Sequence, residues 1–291
     1  MIRHERDLKM RKLLMMLAGF LAALSAPLSA EEPHQELGPM AYLPAIAGDY
    51  FALDSENTNS RYHIFVRLPE GYASQPEANF PVVYLLDGDS TYPMLAPQHL
   101  FLHYDEKLPE AIVVGIAYGG FGDINRRSFD FTAMLQSGEA GGAAAFLGML
   151  ESELIPHIEK LYRTQTDRRV LLGQSRGGAF VLYAAVERPA LFHGYIASNP
   201  ALNYPDLTLY GTGKAMPGVQ TKGTLILASG SRDREYLRTA ALDWSRNFAS
   251  RDDLPWQAQF MDIEGGTHAA SLPEVYRRAM LSLLLPPPQN D

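Results

Sequence analysis

The sequence has no cysteine among its 291 residues. This absence excludes a thiol nucleophile, disulfides, a zinc site with cysteine ligands and a lipid anchor on cysteine. Basic residues are few, because 25 Lys and Arg stand against 33 Asp and Glu, giving a formal net charge of −8. A chain this acidic is poorly suited to nucleic acid or to an anionic membrane surface. No group of histidines and carboxylates has the spacing of metal ligands, so we expect no metal and no cofactor.

The first thirty residues have the pattern of an export signal. Five basic residues precede the apolar stretch Leu13–Leu24, which is short for a membrane span. A segment of mostly small residues follows, so we predict a signal peptide over residues 1–30, with cleavage after Ala30. Leu28 fits the small-residue pattern poorly, which leaves an uncleaved membrane anchor as the alternative. Met10 is an alternative start of the chain.

Removal of this segment changes the charge of the protein. Residues 1–30 carry five basic and two acidic residues, so the chain from Glu31 has a net charge of −11. We expect no stable membrane span in this mature protein. An exported chain without cysteine fits the bacterial periplasm, where thiols are exposed to oxidation. Secretion beyond the cell is the alternative location.

Strand and helix patterns alternate along the rest of the chain. Residues 31–47 lack a clear period and are interpreted as a lead-in segment, and residues 48–291 are expected to form a single domain. The predicted strands are Tyr50–Leu53, Tyr62–Leu68, Pro81–Leu86, Ala111–Ala117, Arg169–Gly173, Gly194–Ala197, Thr224–Ala228 and Gln257–Ile263. The predicted helices are Ala143–Tyr162, Phe180–Val186, Tyr236–Phe248 and Pro273–Leu285. Pro156 is expected to kink the first of these helices or to start a new segment.

This alternation defines an α/β fold. It predicts a mostly parallel eight-stranded sheet with helices on both faces. The first two strands are joined by the short polar loop Ser55–Arg61, which favours an antiparallel hairpin at the edge of the sheet.

The segment Gly173-Gln174-Ser175-Arg176-Gly177 has the pattern of a nucleophile elbow. It follows an apolar run of strand type and precedes a helical sequence, which is the context that such an elbow needs. Glycines on both sides relieve crowding and let Ser175 adopt a strained backbone. Ser175 is therefore the candidate nucleophile, and a glycine-rich turn after a core strand is the structural alternative.

A serine nucleophile needs a base, and the base needs an orienting acid. In hydrolases of this fold the chain order is Ser, then Asp or Glu, then His. His268 lies in a glycine-rich loop after a late strand and is the predicted base. Asp233 is the predicted acid, although an Asp there also suits a helix N-cap, and Glu235 is the alternative. Solvated or helix-capping places are expected for His99, His103, His157 and His193.

Two backbone N–H groups are needed to hold the developing oxyanion. One is expected from Arg176, the residue after the nucleophile. The other is expected from the turn Asp87-Gly88-Asp89, after the third strand, with Gly88 as the donor. In this interpretation Asp89 contributes to substrate binding through its main chain alone. A tight turn without a functional role is the alternative.

Polar and aromatic residues after the fourth strand are candidate substrate contacts. Arg126 and Arg127 are placed to meet an anionic substrate, and the alternative is a structural Arg–Asp pair with Asp130. Aromatic residues that would wall a pocket are Tyr92, Tyr118, Phe121 and Phe129.

Several of these motifs together resemble the putative-esterase branch of the α/β-hydrolases, over about residues 40–285. The motifs are Asp87-Gly88, Arg127-Ser128-Phe129-Asp130-Phe131-Thr132, Gly173-Gln174-Ser175-Arg176-Gly177-Gly178, Ala197-Ser198-Asn199-Pro200 and Gly266-Thr267-His268. Within this branch the pattern is similar to the siderophore esterases that open the trilactone of enterobactin and its glucosylated forms. The resemblance implies Ser175 as nucleophile, His268 as base and Arg127 as a contact to an anionic catecholate. Some periplasmic members are described as Ser–His dyads, so the role of Asp233 is open.

The sequence therefore predicts a serine esterase that acts through an acyl-enzyme. The expected substrate is the trilactone of a catecholate siderophore, whose cleavage releases iron. A broad-specificity carboxylesterase and an acyltransferase of the same fold are the alternatives, together with an exported binding protein in which Ser175 is unreactive. The net charge of −11 argues against an anionic substrate, unless Arg126, Arg127 and Arg176 form a local positive patch.

Overall fold

The computed structural model describes residues 43–46, 48–202, 223–249, 251 and 253–285. The predicted signal peptide, its cleavage site and most of the lead-in segment lie outside these residues. Within the described ranges, no helix is both long enough and apolar enough to span a membrane.

Eight strands of the described chain form one sheet, in the order β1-β2-β4-β3-β5-β6-β7-β8. They are β1 (Asp49–Ser55), β2 (Ser60–Arg67), β3 (Phe80–Leu85), β4 (Ile112–Ala117), β5 (Thr164–Gln174), β6 (Gly194–Ser198), β7 (Thr224–Gly230) and β8 (Gln257–Ile263). β2 is antiparallel to both of its neighbours, and every other pair of neighbouring strands is parallel. The predicted α/β-hydrolase fold, with its edge hairpin, is confirmed.

Strand β5 begins earlier than the sequence predicts. Its polar first half pairs Thr164 with Phe80 of β3, and a register shift follows before Arg169 pairs with Val82. The side chains of this half are polar and partly exposed. The segment therefore lacks the apolar signal by which a strand is recognised in a sequence. β3 and β4 are buried along their whole length, as expected for strands with helices on both faces.

Helices cover both faces of the sheet. In the described residues the α-helices are α1 (Gly88–Glu106), α2 (Arg127–Asp130), α3 (Ala143–Met149), α4 (Ile155–Leu161), α5 (Arg176–Glu187), α6 (Glu235–Phe248) and α7 (Leu272–Leu284). A 3-10 turn at Glu70–Tyr72 and a π-helical segment at Leu150–Leu154 complete them. Consecutive residues of β3 face the two helical layers on opposite sides of the sheet. Tyr84 belongs to the apolar cluster with Phe146 and Phe180 on one face. Val83 packs with Leu95 of α1 and Tyr276 of α7 on the other face.

The predicted helix over 143–162 is divided just before Pro156, as the proline predicts. Pro156 removes a backbone donor and its ring crowds the carbonyl four residues earlier. The residues before it form the π-helical segment, and α4 starts at Ile155.

Helix α1 has no counterpart among the predicted helices. It contains Pro93 and Pro97, and proline disfavours the interior of a helix. Buried residues at Thr91, Leu95 and Leu102 face the core, so tertiary packing stabilises a helix that local propensity disfavours.

His99 is buried between α1 and α7 and does not occupy the solvated or capping place expected for it. Its Nδ1 lies 2.8 Å from the Tyr276 hydroxyl and its Nε2 lies 3.1 Å from the Pro109 carbonyl oxygen. A carbonyl only accepts, so Nε2 carries the proton and Nδ1 accepts from Tyr276. Burial lowers the pKa of His99 to about 4, and the side chain is therefore neutral at pH 7.

Candidate active site

Ser175 lies in a sharp turn between β5 and α5. Its φ of 58° and ψ of −113° place it outside the regions that non-glycine residues favour. A Cβ added to Gly173 would come within 2.3 Å of the Gly177 carbonyl carbon, and one added to Gly178 within 3.0 Å of the Ser198 carbonyl oxygen. The glycines of this motif therefore permit the close backbone approach that the turn requires.

Three predicted residues meet at the carboxyl end of the parallel strands. His268 Nε2 lies 2.9 Å from Ser175 Oγ, and His268 Nδ1 lies 2.8 Å from Asp233 Oδ1. The side chain of Asp233 is 1% exposed and that of His268 is 19% exposed. Asp233 follows β7 and His268 follows β8. Strands that are far apart in sequence therefore place Ser175, His268 and Asp233 in one hydrogen-bonded row. Glu235, the alternative acid, is exposed at the start of α6.

A polar network that the sequence analysis missed ties the His268 loop to the elbow. The Gln174 side-chain amide donates to the His268 carbonyl oxygen and accepts from Ser198 Oγ at 2.6 Å. Asn199 Nδ2 donates to Ser271 Oγ at 2.8 Å, and Ser271 Oγ donates to the Thr267 carbonyl oxygen at 2.7 Å. The network holds the backbone on both sides of the His268 ring. Ser198 ends strand β6 and Asn199 follows it, and their motif in the sequence did not indicate these partners.

The turns before α1 and α5 lie side by side. A Cβ on Gly177 would lie 3.2 Å from Asp87 Oδ2, and one on Gly88 would lie 2.7 Å from the Ile116 backbone nitrogen. Gly88 and Arg176 are the first residues of α1 and α5. The N–H groups of a first helical turn have no acceptor within the helix and carry the positive end of the helix dipole. Two such ends meeting beside Ser175 suit a developing oxyanion.

Arg127 has a different partner from the one anticipated. Its Nε donates to Asp87 Oδ1 at 2.6 Å and its Nη2 donates to Asp87 Oδ2 at 2.9 Å. Arg126 is the residue that approaches Asp130, at 3.4 Å. The structure therefore contains an Arg–Asp pair at Arg127, but with the turn before α1 instead of the neighbouring Asp130.

Asp89 also differs from the expectation that it would act through its main chain alone. Its carboxylate accepts from the backbone N–H groups of Tyr118 and Gly119, each at 2.8 Å. These bonds fix the chain directly after β4, which is the start of the loop that carries Arg126 and Arg127.

A cleft of about 360 Å³ adjoins the row of Ser175, His268 and Asp233. Its lining residues are Asp87, Asp89, Ser90, Thr91, Met94, Phe121, Asn125, Arg127, Gln174, Ala269 and Leu272. Gln174 and Ala269 are the chain neighbours of the serine and the histidine, so the cleft opens beside them.

The four aromatic residues predicted to wall a pocket lie in different environments. Tyr92 and Tyr118 are buried in the core. Phe129 lies against the Arg126 guanidinium, 5.5 Å from ring centre to Cζ. Phe121 lines the cleft and is 79% exposed, which leaves most of its ring available to a ligand.

The fold and the site define the class of this protein, an α/β-hydrolase with a serine at the elbow. A family model described as putative esterase matches residues 55–269, and the chain belongs to this family.

Known proteins that are similar to this chain carry more specific names. The chain is 27% identical over 260 residues to ferri-bacillibactin esterase BesA of Bacillus subtilis (strain 168), with 80% of this chain and 88% of that protein covered. An IroE-like serine hydrolase from Shewanella oneidensis superposes with a TM-score of 0.70 at 26% identity, over 82% of this chain and 80% of that chain. Siderophore hydrolase EstB from Aspergillus nidulans gives a TM-score of 0.72 at 20% identity, over 83% and 97% of the two chains, a likeness of fold alone.

Proposed function

We propose that this protein hydrolyses ester bonds of a siderophore through an acyl-enzyme on Ser175. The observation that carries the proposal is the hydrogen-bonded row from Ser175 Oγ through the His268 ring to Asp233. The name of the relative BesA, a ferri-bacillibactin esterase, supports a siderophore as the substrate class.

In the first step Ser175 Oγ attacks the ester carbonyl carbon. His268 Nε2 takes the hydroxyl proton as the C–O bond forms, and the carbonyl oxygen becomes an oxyanion. Asp233 accepts the Nδ1–H bond, keeps the ring oriented and stabilises the imidazolium. The backbone N–H groups of Arg176 and Gly88 are the proposed donors to the oxyanion.

Collapse of this intermediate breaks the bond to the leaving alcohol. The imidazolium returns its proton to the departing alkoxide, which leaves an acyl group on Ser175. A water molecule then gives a proton to His268 Nε2 and attacks the acyl carbon. The second collapse releases the carboxylic acid, and the proton on Nε2 passes back to Ser175 Oγ.

The cleft supports an acyl group with an aromatic ring. Met94, Phe121 and Leu272 give it apolar walls beside the reacting serine. A trilactone built from aroyl amino acids would present such a ring next to each ester, and Phe121 would stack on it. A catecholate trilactone is therefore the preferred substrate within the siderophore class.

Hydrolysis of apo- and ferric enterobactin tests the proposal, with products separated by chromatography and Ser175→Ala assayed in parallel. We expect ring opening by the wild-type protein and none by the variant. Intact enterobactin with rapid turnover of p-nitrophenyl acetate would discard the siderophore and leave a general carboxylesterase. Failure of a fluorophosphonate to label Ser175 would instead favour a binding protein.

We also propose that the protein acts in the periplasm after export. The support is the basic and apolar pattern of residues 1–30 in the sequence. Cell fractionation followed by N-terminal sequencing tests it. A periplasmic protein that starts at Glu31 is the expected result, and a cytoplasmic protein that keeps residues 1–30 would contradict it.

A further inference from the structure

We infer that Arg127 is a positioning residue, which fixes the Gly88 N–H through Asp87 and does not serve as a docking cation for the substrate. The inference rests on the proposed esterase function, because it concerns the oxyanion site of that reaction. Its starting point is the two-bond contact between Arg127 and Asp87. A fork-to-fork pair of this kind sets the orientation of both side chains as well as their separation.

The pair is partly buried. The Arg127 side chain is 31% exposed and that of Asp87 is 13% exposed. Ion pairs in full solvent contribute little to stability because water and salt screen them. A partly buried pair with two aligned bonds is screened less, so Arg127 can hold Asp87 in one orientation.

The backbone of Asp87 needs such support. Asp87 has φ 55° and ψ 44°, the left-handed region, and directly precedes Gly88. An Asp at this position commonly caps the helix that follows. Here its carboxylate caps none of the first-turn N–H groups of α1, all of which the structure describes, because both oxygens face Arg127. The side chain is thus used to lock the turn and not to satisfy the helix.

The segment that carries Arg127 also reaches the second oxyanion donor. Ser128 follows Arg127, and its carbonyl oxygen accepts from Arg176 Nη1 at 3.2 Å. Arg176 is the residue after the nucleophile. Helix α2 therefore contacts Arg176, at one proposed oxyanion donor, and Asp87, which directly precedes the other donor, Gly88.

Helix α2 is itself anchored. Asp130, at its last position, is 1% exposed. Its Oδ2 accepts from the Tyr62 hydroxyl at 2.9 Å and from the Tyr118 hydroxyl at 3.2 Å. An anchored helix can serve as a fixed base for the Arg127–Asp87 pair.

A docking role would place like charges together. An anionic group of the substrate that bound Arg127 would approach the Asp87 carboxylate, and Asp89 also lines this cleft. Repulsion between neighbouring carboxylates is large where solvent is partly excluded. The positioning role has no such cost, because Asp87 is already the partner.

Uncharged esters separate the two roles. With p-nitrophenyl acetate, which has no anionic group, we expect Arg127→Gln and Asp87→Asn each to lower kcat about 10- to 100-fold while KM stays within about threefold. Arg127→Lys keeps the charge without the fork and should recover little. The double variant should lose no more than either single variant, because both remove the same contact. Arg61→Gln is the matched control, since Arg61 makes the same two-bond contact with Asp54 on the β1–β2 hairpin.

Normal kcat on p-nitrophenyl acetate with a raised KM for an anionic ester alone would overturn the inference. Hydrogen exchange gives a readout that does not need turnover. The amides of Leu86, Ser90 and Thr91, which donate to the carbonyl oxygens of Leu172 and Asp87, should exchange at least tenfold faster in Arg127→Gln, and not in Arg61→Gln. Unchanged exchange there would overturn the inference even if the wild-type protein cleaves every ester. A wild-type protein that cleaves none would overturn the proposed function, and hydrogen exchange would still decide the inference.

Discussion

The side-chain amide of Gln174 donates a hydrogen bond to the carbonyl oxygen of His268. One residue thus joins the nucleophile turn to the loop of the proposed base, because Gln174 directly precedes Ser175. Ser198 Oγ donates to the Gln174 side-chain oxygen, Oε1, and fixes the direction of the amide. We therefore expect the distance between Ser175 Oγ and His268 Nε2 to depend on a side chain that makes no proton transfer itself.

Substitution Gln174→Leu keeps most of the side-chain volume and removes both hydrogen bonds. We expect kcat for p-nitrophenyl acetate to fall about tenfold or more, because a small misplacement of the base is costly in rate. Steady-state kinetics beside a thermal melt measure this. Gln98→Leu is the matched control, since Gln98 makes a comparable amide-to-carbonyl bond with Pro273. An unchanged kcat in Gln174→Leu would show that the loop holds His268 without this bond.

The proposed triad predicts a large effect at Asp233. In Asp233→Asn the amide keeps the shape of the carboxylate but no longer favours Nδ1–H or the imidazolium. We expect kcat to fall by about 10²- to 10⁴-fold. Glu235→Gln should stay within about twofold, because Glu235 is exposed and outside the row. A loss below about tenfold in Asp233→Asn, measured with p-nitrophenyl acetate, would instead support a Ser–His dyad.

His99 makes stability depend on pH. Burial lowers its pKa to about 4 from 6.5, so between these values the unfolded chain binds a proton that the folded protein does not. Stability from this group is therefore complete above pH 6.5 and is lost as the pH falls toward 4. The expected loss between pH 7.5 and 4.5 is about 2.5 kcal/mol.

Urea denaturation at several pH values measures this loss against a variant. In His99→Gln the free energy of unfolding should fall less on acidification, by about the 2.5 kcal/mol assigned to His99. His103→Gln is the control, since His103 lies on the same helix and contacts the Leu108 carbonyl oxygen. Equal pH dependence in the wild-type protein and His99→Gln would show that His99 is not the acid-sensitive group.

The sequence predicted the row at the sheet edge more readily than the structure around it. Ser175, Asp233 and His268 each follow an apolar strand, and parallel strands present their carboxyl ends at one edge. Their positions directly after parallel strands therefore bring these residues to one edge of the sheet. The partner of Arg127 could not be chosen in this way. Asp130 is near in sequence, whereas Asp87 is brought close by the pairing of β3 with β4.

Helix α1 and the Gln174 network were missed for related reasons. Pro93 and Pro97 oppose a helix locally, and burial against the sheet outweighs them. Ser198, Asn199 and Ser271 are short polar residues with no period, and their hydrogen bonds join loops separated by up to 72 residues. Such contacts depend on tertiary packing and leave no pattern within a short window of sequence.

Phe121 offers a test of the substrate's acyl group. An exposed aromatic ring at a cleft gains from stacking only when the ligand presents a ring of its own. We therefore expect Phe121→Ala to lower kcat/KM about 3- to 10-fold for p-nitrophenyl N-benzoylglycinate, and less than twofold for p-nitrophenyl N-acetylglycinate. The two esters share the reacting bond and differ in the ring alone.

Phe101→Ala is the matched control for this pair of substrates. Phe101 is 60% exposed on α1 and is not among the residues that line the cleft, so its removal should leave both rates within about twofold. If Phe121→Ala lowers both rates equally, the residue shapes the loop and does not contact the acyl group. Because the cleft opens beside Gln174 and Ala269, a selective loss would locate the aromatic ring next to the acyl carbon that Ser175 attacks.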